Sequence, residues 1–279
     1  VKPSRFEYER PADLAGAIAL NRREDLVVKI LAGGQSLGPM LNLRLAQPDM
    51  LVDITAIPEL KRVEVSDDGI IVGGCVTHAD FEDERVPDVT GGALPRVARG
   101  IAYRAVRTRG TIGGSLSHAD PSADWSSSLA AIGAEVIIRG PAGQRRLAIE
   151  DFITGVFEVA LEQGEILEAV RIPRLSRSAR FGFYKICRKP GELAQAIGAI
   201  LHDPERSVFR AVFGATRSTP IVISNATSLF GGTPPAVGPG VFDSGAAASV
   251  LIAAGMTDRF DNQIHVAALK RAIDRANLA

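Results

Sequence analysis

Cysteine is scarce in this chain: Cys75 and Cys187 are the only two in 279 residues. An iron–sulfur cluster takes about four cysteine ligands, so this chain cannot build one alone. A disulfide framework is excluded too, and both thiols read as small buried hydrophobes in a reducing compartment. Net charge is also lacking. Lys plus Arg and Asp plus Glu each number 32, which leaves no general field to hold nucleic acid or an anionic membrane. Long apolar runs are missing as well. The longest uncharged stretch, Ser218–Phe242, is interrupted by prolines and glycines and cannot be a spanning helix. The opening VKPSRFEYERP has no apolar signal-peptide core. The expectation is a soluble, cytoplasmic protein with no membrane span.

What is present supports a well-packed protein. Hydrophobic residues make up 46% and charged residues 23%, which argues for a sizeable core and against intrinsic disorder. The length suits one large domain or two ordinary ones, at roughly 100–200 residues each. Residues 11–23 place Leu14, Ala17 and Ile18 at helical spacing, and 26–32 (LVVKILA) read as a buried strand. A short helix is expected after Gly33-Gly34-Gln35-Ser36, then a buried strand over 50–54. The pattern next changes to hairpins, 61–65 with 70–74 and 134–140 with 144–149, and a strand over 166–173. Helices are expected from His78, capped by Thr77, and over 93–103. Beyond a linker at 174–180, three antiparallel strands (181–188, 193–201, 208–216) and helices over 244–254 and 263–276 complete the reading. The fold class is α+β, with a boundary near 176 dividing 1–175 (subdomains about 1–55 and 56–175) from 176–279.

Two glycine segments stand out: Ala32-Gly33-Gly34-Gln35-Ser36-Leu37 and Thr111-Ile112-Gly113-Gly114-Ser115. Successive glycines let the backbone approach a ligand and turn consecutive N–H groups toward one point, and hydroxyls add donors. Either segment alone reads equally well as a tight turn. The pair favours a diphosphate, hence a dinucleotide. No G-x-G-x-x-G and no Gly-Lys pair exists, so the site is neither of the Rossmann nor of the Walker type.

Other patterns compete. Gly34-Gln35-Ser36-Leu37-Gly38 matches the G-x-S-x-G elbow of serine hydrolases, with Asp243 and His265 as conceivable triad partners. Pro39 and the hairpins argue against it. Gly73-Gly74-x-x-x-His78-Ala79-Asp80 is echoed by Gly113-Gly114-x-x-x-His118-Ala119-Asp120; the pair reads as two strand–turn–helix junctions rather than a metal site. Asp124 is either a helix-dipole complement or an acceptor for ligand hydroxyls. Lys185 is either an edge-strand charge or a group reaching a cofactor. Arg104, Arg107 and Arg109 read as a solvated face or as neighbours of phosphates.

Residues 31–54 (LAGGQSLGPMLNLRLAQPDMLVDI) and 107–125 (RTRGTIGGSLSHADPSADW) resemble the FAD-binding medium subunit of the molybdenum hydroxylases. That family includes the flavoprotein subunits of carbon monoxide, nicotine and related N-heterocycle dehydrogenases and the central domain of xanthine dehydrogenases. The likeness covers essentially the whole chain. It implies a two-subdomain FAD-binding domain of the vanillyl-alcohol-oxidase type, followed by a small C-terminal domain of a three-stranded antiparallel sheet with helices.

The resemblance implies FAD contacts at Ala32, Gly33, Gly34, Gln35, Ser36, Leu37, Ala102, Thr111, Ile112, Gly113, Gly114, Ser115, Asp124, Leu167 and Lys185. It implies no catalytic acid, base or nucleophile and no metal in this chain. It implies a large partner with molybdopterin, a small partner with two 2Fe–2S clusters, and a dimer of heterotrimers. At Gly191-Glu192-Leu193-Ala194 the chain departs from the family, which often carries an aromatic residue where Leu193 stands.

Overall fold

The computed structural model describes residues 2–232 and 241–278. Residues 233–240, part of the uncharged stretch named above, lie outside them. Three main sheets and a two-stranded hairpin organise the described residues, with three apolar clusters, the largest of which is shared by the second and third sheets.

The first sheet is parallel. It is built from β1 (Glu7–Glu9), α1 (Leu14–Asn21), β2 (Val28–Leu31), α2 (Leu37–Asn42) and β3 (Met50–Asp53), with strand order β1-β3-β2. All four residues of the central β3 are buried, which is why MLVD reads as a continuous apolar run until Asp53. Asp53 is satisfied by Thr55, whose N–H and hydroxyl donate to it at 2.8 and 2.6 Å, and by the Tyr8 hydroxyl. The core beneath this sheet contains Leu14, Ala17, Met50, Val52 and Ile57. Cys75 closes it, and burial pushes its thiol up to about 12, so it is inert at neutral pH.

The second sheet is antiparallel and five-stranded. Its elements are β4 (Val63–Ser66), β5 (Gly69–Gly73), α3 (His78–Glu82), α4 (Ala93–Gly100), α5 (Arg104–Arg107), α6 (Ile112–His118), α7 (Asp124–Ile132), β6 (Glu135–Gly140), β7 (Gly143–Ala148), α8 (Ile149–Phe152), a small hairpin β8 (Ile153–Gly155) and β9 (Glu158–Val159), and β10 (Ile166–Pro173). The order is β4-β5-β10-β6-β7. The central β10 carries a bulge between Leu167 and Ala169. The bulge leaves Glu168 buried between Arg62 and Arg139, at 2.7 and 2.8 Å. Every residue of α7 is buried, with Trp125 wholly enclosed at the centre of the largest core.

The third sheet holds β11 (Arg180–Ile186), β12 (Ala196–Asp203), β13 (Val208–Gly214) and β14 (Ile221–Ile223), all antiparallel. The expected three strands are thus four. Ile221–Ile223 is too short to read as a strand among its prolines, and pairing with β13 makes it one. Helices α9 (Ser244–Ala253) and α10 (Arg259–Arg275) follow. Helix α10 packs on this sheet, and α7 of the neighbouring unit packs against β12 and β13. At Gly214 a Cβ would stand 1.8 Å from Ser127 Oγ of α7, so only glycine admits that contact. The expected linker at 174–180 is tied down. Leu175 N–H donates to Val89 O at 2.9 Å and Ser176 N–H to Asp203 Oδ2 at 3.0 Å. Among the described residues no helix is long and apolar enough to cross a membrane.

Candidate functional site

A cavity of about 620 Å³ opens between the first and second sheets, with the turn between β11 and β12 at its mouth. Ala32, Gly33, Gly34, Gln35, Ser36, Leu37, Ala102, Thr111, Gly113, Gly114, Ser115, Asp124 and Leu167 line it. Ile112 and Lys185 do not. Ile112 is wholly buried, its N–H donating to Val76 O at 3.0 Å. Lys185 stands behind Asp124, its ammonium 2.9 Å from each carboxylate oxygen and 2.8 Å from Gly100 O.

The first glycine segment leaves β2 and turns into α2. Its Gly34 adopts φ +70°, in the left-handed region. The amide N–H groups of Gly33, Gly34, Gln35, Ser36 and Leu37 have no acceptor among the described residues. The Ser36 side chain makes no cap bond and is exposed. A run of open donors on a concave wall is the chemistry of an anion cradle.

The second glycine segment is not an open loop. Thr111 is the N-cap of α6, and Gly113 and Gly114 lie in its first turn. Apart from the Thr111 N–H, its amides are used internally: Gly113 N–H donates to Gly74 O at 2.9 Å, Gly114 N–H to Thr111 Oγ1 at 3.0 Å, and Ser115 N–H to Thr111 O at 3.0 Å. The expected nest of free N–H groups is therefore absent here, because the helix start and the bridge between Thr77 and Thr111 consume them. What remains for the cavity is the Thr111 N–H and the hydroxyls of Thr111 and Ser115.

Glycine is required where the walls meet. A Cβ at Gly33 would stand 2.1 Å from Arg109 O, and one at Gly113 would stand 2.7 Å from Gly74 Cα. The internal echo explains the second contact. Its two Gly-Gly pairs meet, Gly113 N–H on Gly74 O; the first pair leads from β5 into α3 as expected, whereas the second lies inside α6 and is not a strand–turn–helix junction. Asp80 closes a capping box with Thr77, and Asp120 accepts from Ser122 N–H at 2.8 Å. No group of three His, Cys, Asp or Glu side chains comes together among the described residues.

Asp124 is fully enclosed. Burial raises its pKa, and the attraction of Lys185 only partly offsets that. His78 lines the cavity as well, a position the sequence marks only through the Gly-Gly-x-x-x-His echo. Burial lowers its pKa to about 4, with the Arg107 charge adding to the effect. Tyr103, 57% exposed, and Leu193, 68% exposed, stand at the mouth.

The hydrolase triad does not form. His265 places Nδ1 2.8 Å from Asp261 O and Nε2 3.2 Å from Ala215 O. The Asp243 carboxylate caps α9, accepting from Gly245 and Ala246 N–H.

The open amides and glycine-sealed walls fit a bound anionic dinucleotide, and comparison with known proteins points the same way. The model of the FAD-binding domain in molybdopterin dehydrogenase matches residues 4–175. The caffeine dehydrogenase subunit beta of Pseudomonas sp. (strain CBB1) is 35% identical over 206 residues, 74% of this chain and 70% of that protein. The carbon monoxide dehydrogenase medium chain of Afipia carboxidovorans is 31% identical over 98% of this chain and 97% of its own. Among solved structures, quinoline 2-oxidoreductase from Pseudomonas putida 86 superposes with a TM-score of 0.83 at 30% identity, covering 99% and 98% of the two chains. The chain belongs to the family of FAD-binding domains of molybdopterin dehydrogenases.

Proposed function

We propose that this chain is the FAD-carrying medium subunit of a molybdenum hydroxylase. It takes electrons from the 2Fe–2S clusters of a small partner and passes them through FAD to an external acceptor. A large molybdopterin partner hydroxylates the substrate, a small N-heteroaromatic or related molecule. On this reading residues 1–175 hold the cofactor and 176–279 form a C-terminal domain. The complex is a dimer of heterotrimers in the cytoplasm. The observation that carries the reading is the row of unpaired amides from Gly33 to Leu37, on the wall of a cavity inside the matched segment.

When bound, FAD supplies the capacity to take up and release electrons; the protein supplies orientation and electrostatics. The amides of residues 33–37 and the hydroxyls of Ser36, Thr111 and Ser115 hold the diphosphate. Asp124 accepts from cofactor hydroxyls, and Lys185 fixes its orientation from behind. Ala102 and Leu167 supply apolar wall, and Ile112 supports it from within the core. No residue of this chain acts as a catalytic acid, base or nucleophile.

The test is co-expression with the large and small partners. The purified complex should show flavin absorption, and substrate should bleach it. The isolated chain should bind FAD but stay oxidised with substrate. Reduction by substrate in the isolated chain overturns the electron-transfer reading.

A further inference from the structure

We infer that His78 is a further cofactor-binding residue, a neutral side chain locked by Trp125 so that its Nε2–H donates to an acceptor atom of the bound flavin nucleotide. The inference rests on the flavin reading above and adds a donor that neither glycine segment contains.

The lock follows from hydrogen-bond chemistry. An indole N–H can only donate. Trp125 Nε1 lies 3.0 Å from His78 Nδ1, so Nδ1 is the acceptor and carries no proton. In the neutral ring the proton is then on Nε2. The indole cannot turn away, because Trp125 is wholly buried and packs on Phe81 with ring centroids 5.0 Å apart. The backbone end of His78 is fixed too: it opens α3, and its N–H donates to Gly110 O at 2.9 Å.

The free edge of the ring meets the cavity. His78 and Gly110 both line it. Nε2 lies over Gly110, so that a Cβ built there would stand 2.8 Å away. Nε2 has no hydrogen-bond partner among the described residues, although His78 is only 5% exposed. Nε2 is not one of the side-chain atoms sealed from solvent without a partner, so its N–H stays open toward the cavity that His78 lines and can donate to what fills it. The charges around the ring keep it neutral: Arg107 stands near it, and burial disfavours a second proton. A neutral, oriented N–H over Gly110 suits an uncharged or anionic acceptor of the nucleotide.

The experiment is titration of the flavin-stripped full chain with FAD, for wild type, His78→Gln, His78→Phe and Trp125→Phe, with 15N-histidine spectra of the wild type. Wild-type binding is read first; its absence overturns the flavin reading itself before any variant is compared. Given binding, His78→Phe should weaken affinity about tenfold or more, the loss expected for one buried hydrogen bond. His78→Gln, which keeps an N–H donor, should stay within about threefold. Trp125→Phe, which releases the tautomer, should fall between them. The His78 Nε2 resonance should report a protonated nitrogen in the free chain and should shift on adding FAD. A His78→Phe chain that binds as tightly as wild type overturns the inference. So does an equal loss in His78→Gln and His78→Phe, which marks a packing role. If His78→Phe does not fold, the Nε2 shift decides: no shift on FAD addition overturns the inference.

Discussion

The two glycine segments look alike in sequence and do different work. Gly33-Gly34-Gln35-Ser36 follows β2, an edge strand of the parallel sheet that is half-buried rather than buried as expected, and leaves its amides open to the cavity. Gly113-Gly114-Ser115 begins a helix, and its amides are spent on Gly74 and Thr111. The first segment leaves donors for a ligand, as the proposed function requires, and the second mainly holds two walls together. A Gly-Gly pair therefore carries no fixed meaning. What precedes it decides: Thr111, two positions ahead of Gly113, caps a helix, whereas neither Leu31 nor Ala32 ahead of Gly33 has a polar side chain to do so.

The largest effect expected from this contrast is on the holding contact. Gly113→Val drives side-chain atoms into the Gly74 main chain, and should cost about 3 kcal/mol or more of stability in urea unfolding. Ser36→Ala should cost no measurable stability. If Gly113→Val unfolds like wild type, the division of labour fails.

A second effect is in the pH dependence. His78 sits on the side of the second segment, with its folded pKa near 4 against an ordinary value of 6.5. The unfolded chain therefore binds a proton that the folded chain refuses. Stability should be full above pH 6.5 and should fall as pH drops toward 4, by about 2–3 kcal/mol. The His78→Gln chain should lose that slope. Carboxylates held below their ordinary range by arginines, such as Glu165 beside Arg145, act lower: their contribution is lost as pH falls below about 4.5.

A smaller effect separates affinity from stability. Ser36→Ala should weaken FAD binding about tenfold through loss of a donor to a charged phosphate, roughly 1–3 kcal/mol. Equilibrium titration of the flavin-stripped chain measures it. The smallest effect belongs to Thr111→Val. Removing the cap of α6 should cost about 1 kcal/mol of stability, seen as a small shift in urea midpoint. Its effect on FAD affinity should be less than that of Ser36→Ala. An inverted order would show that the second segment is the principal phosphate holder.

Much of this was legible in the residues. The buried strands, both hairpins and the Thr77 cap follow from apolar runs and turn chemistry. The cavity wall followed from the glycine segments. What escaped was set by tertiary contact. Helix α6 contains two glycines, each poor for helix by about 1 kcal/mol, yet it forms: Gly113 admits the close approach of Gly74, and a Cβ at Gly114 would stand 2.8 Å from the capping Thr111 hydroxyl. Strand β14 exists only through β13. The expected strand over 193–201 shifts to Ala196–Asp203, since register with β11 and β13 fixes it. Lys185 stands out in the sequence as a charge in an apolar strand, and Asp124, 61 positions earlier in the chain, explains it. His78 was visible in the echo, but its partner Trp125 lies 47 positions away, a pairing that spacing cannot show.

The cavity has walls that belong to different apolar cores. The parallel sheet has its own core, separate from the larger one around Trp125. Such a unit can open as a cooperative piece at less than the global cost of unfolding. A ligand touching both walls then behaves as a reversible cross-link. By mass action it closes the opening by RT ln(1 + [L]/Kd). Amide exchange in residues 7–53 should therefore slow on FAD binding far more than exchange in β12 and β13. The cofactor would thus be part of what keeps the small parallel sheet folded against its neighbour.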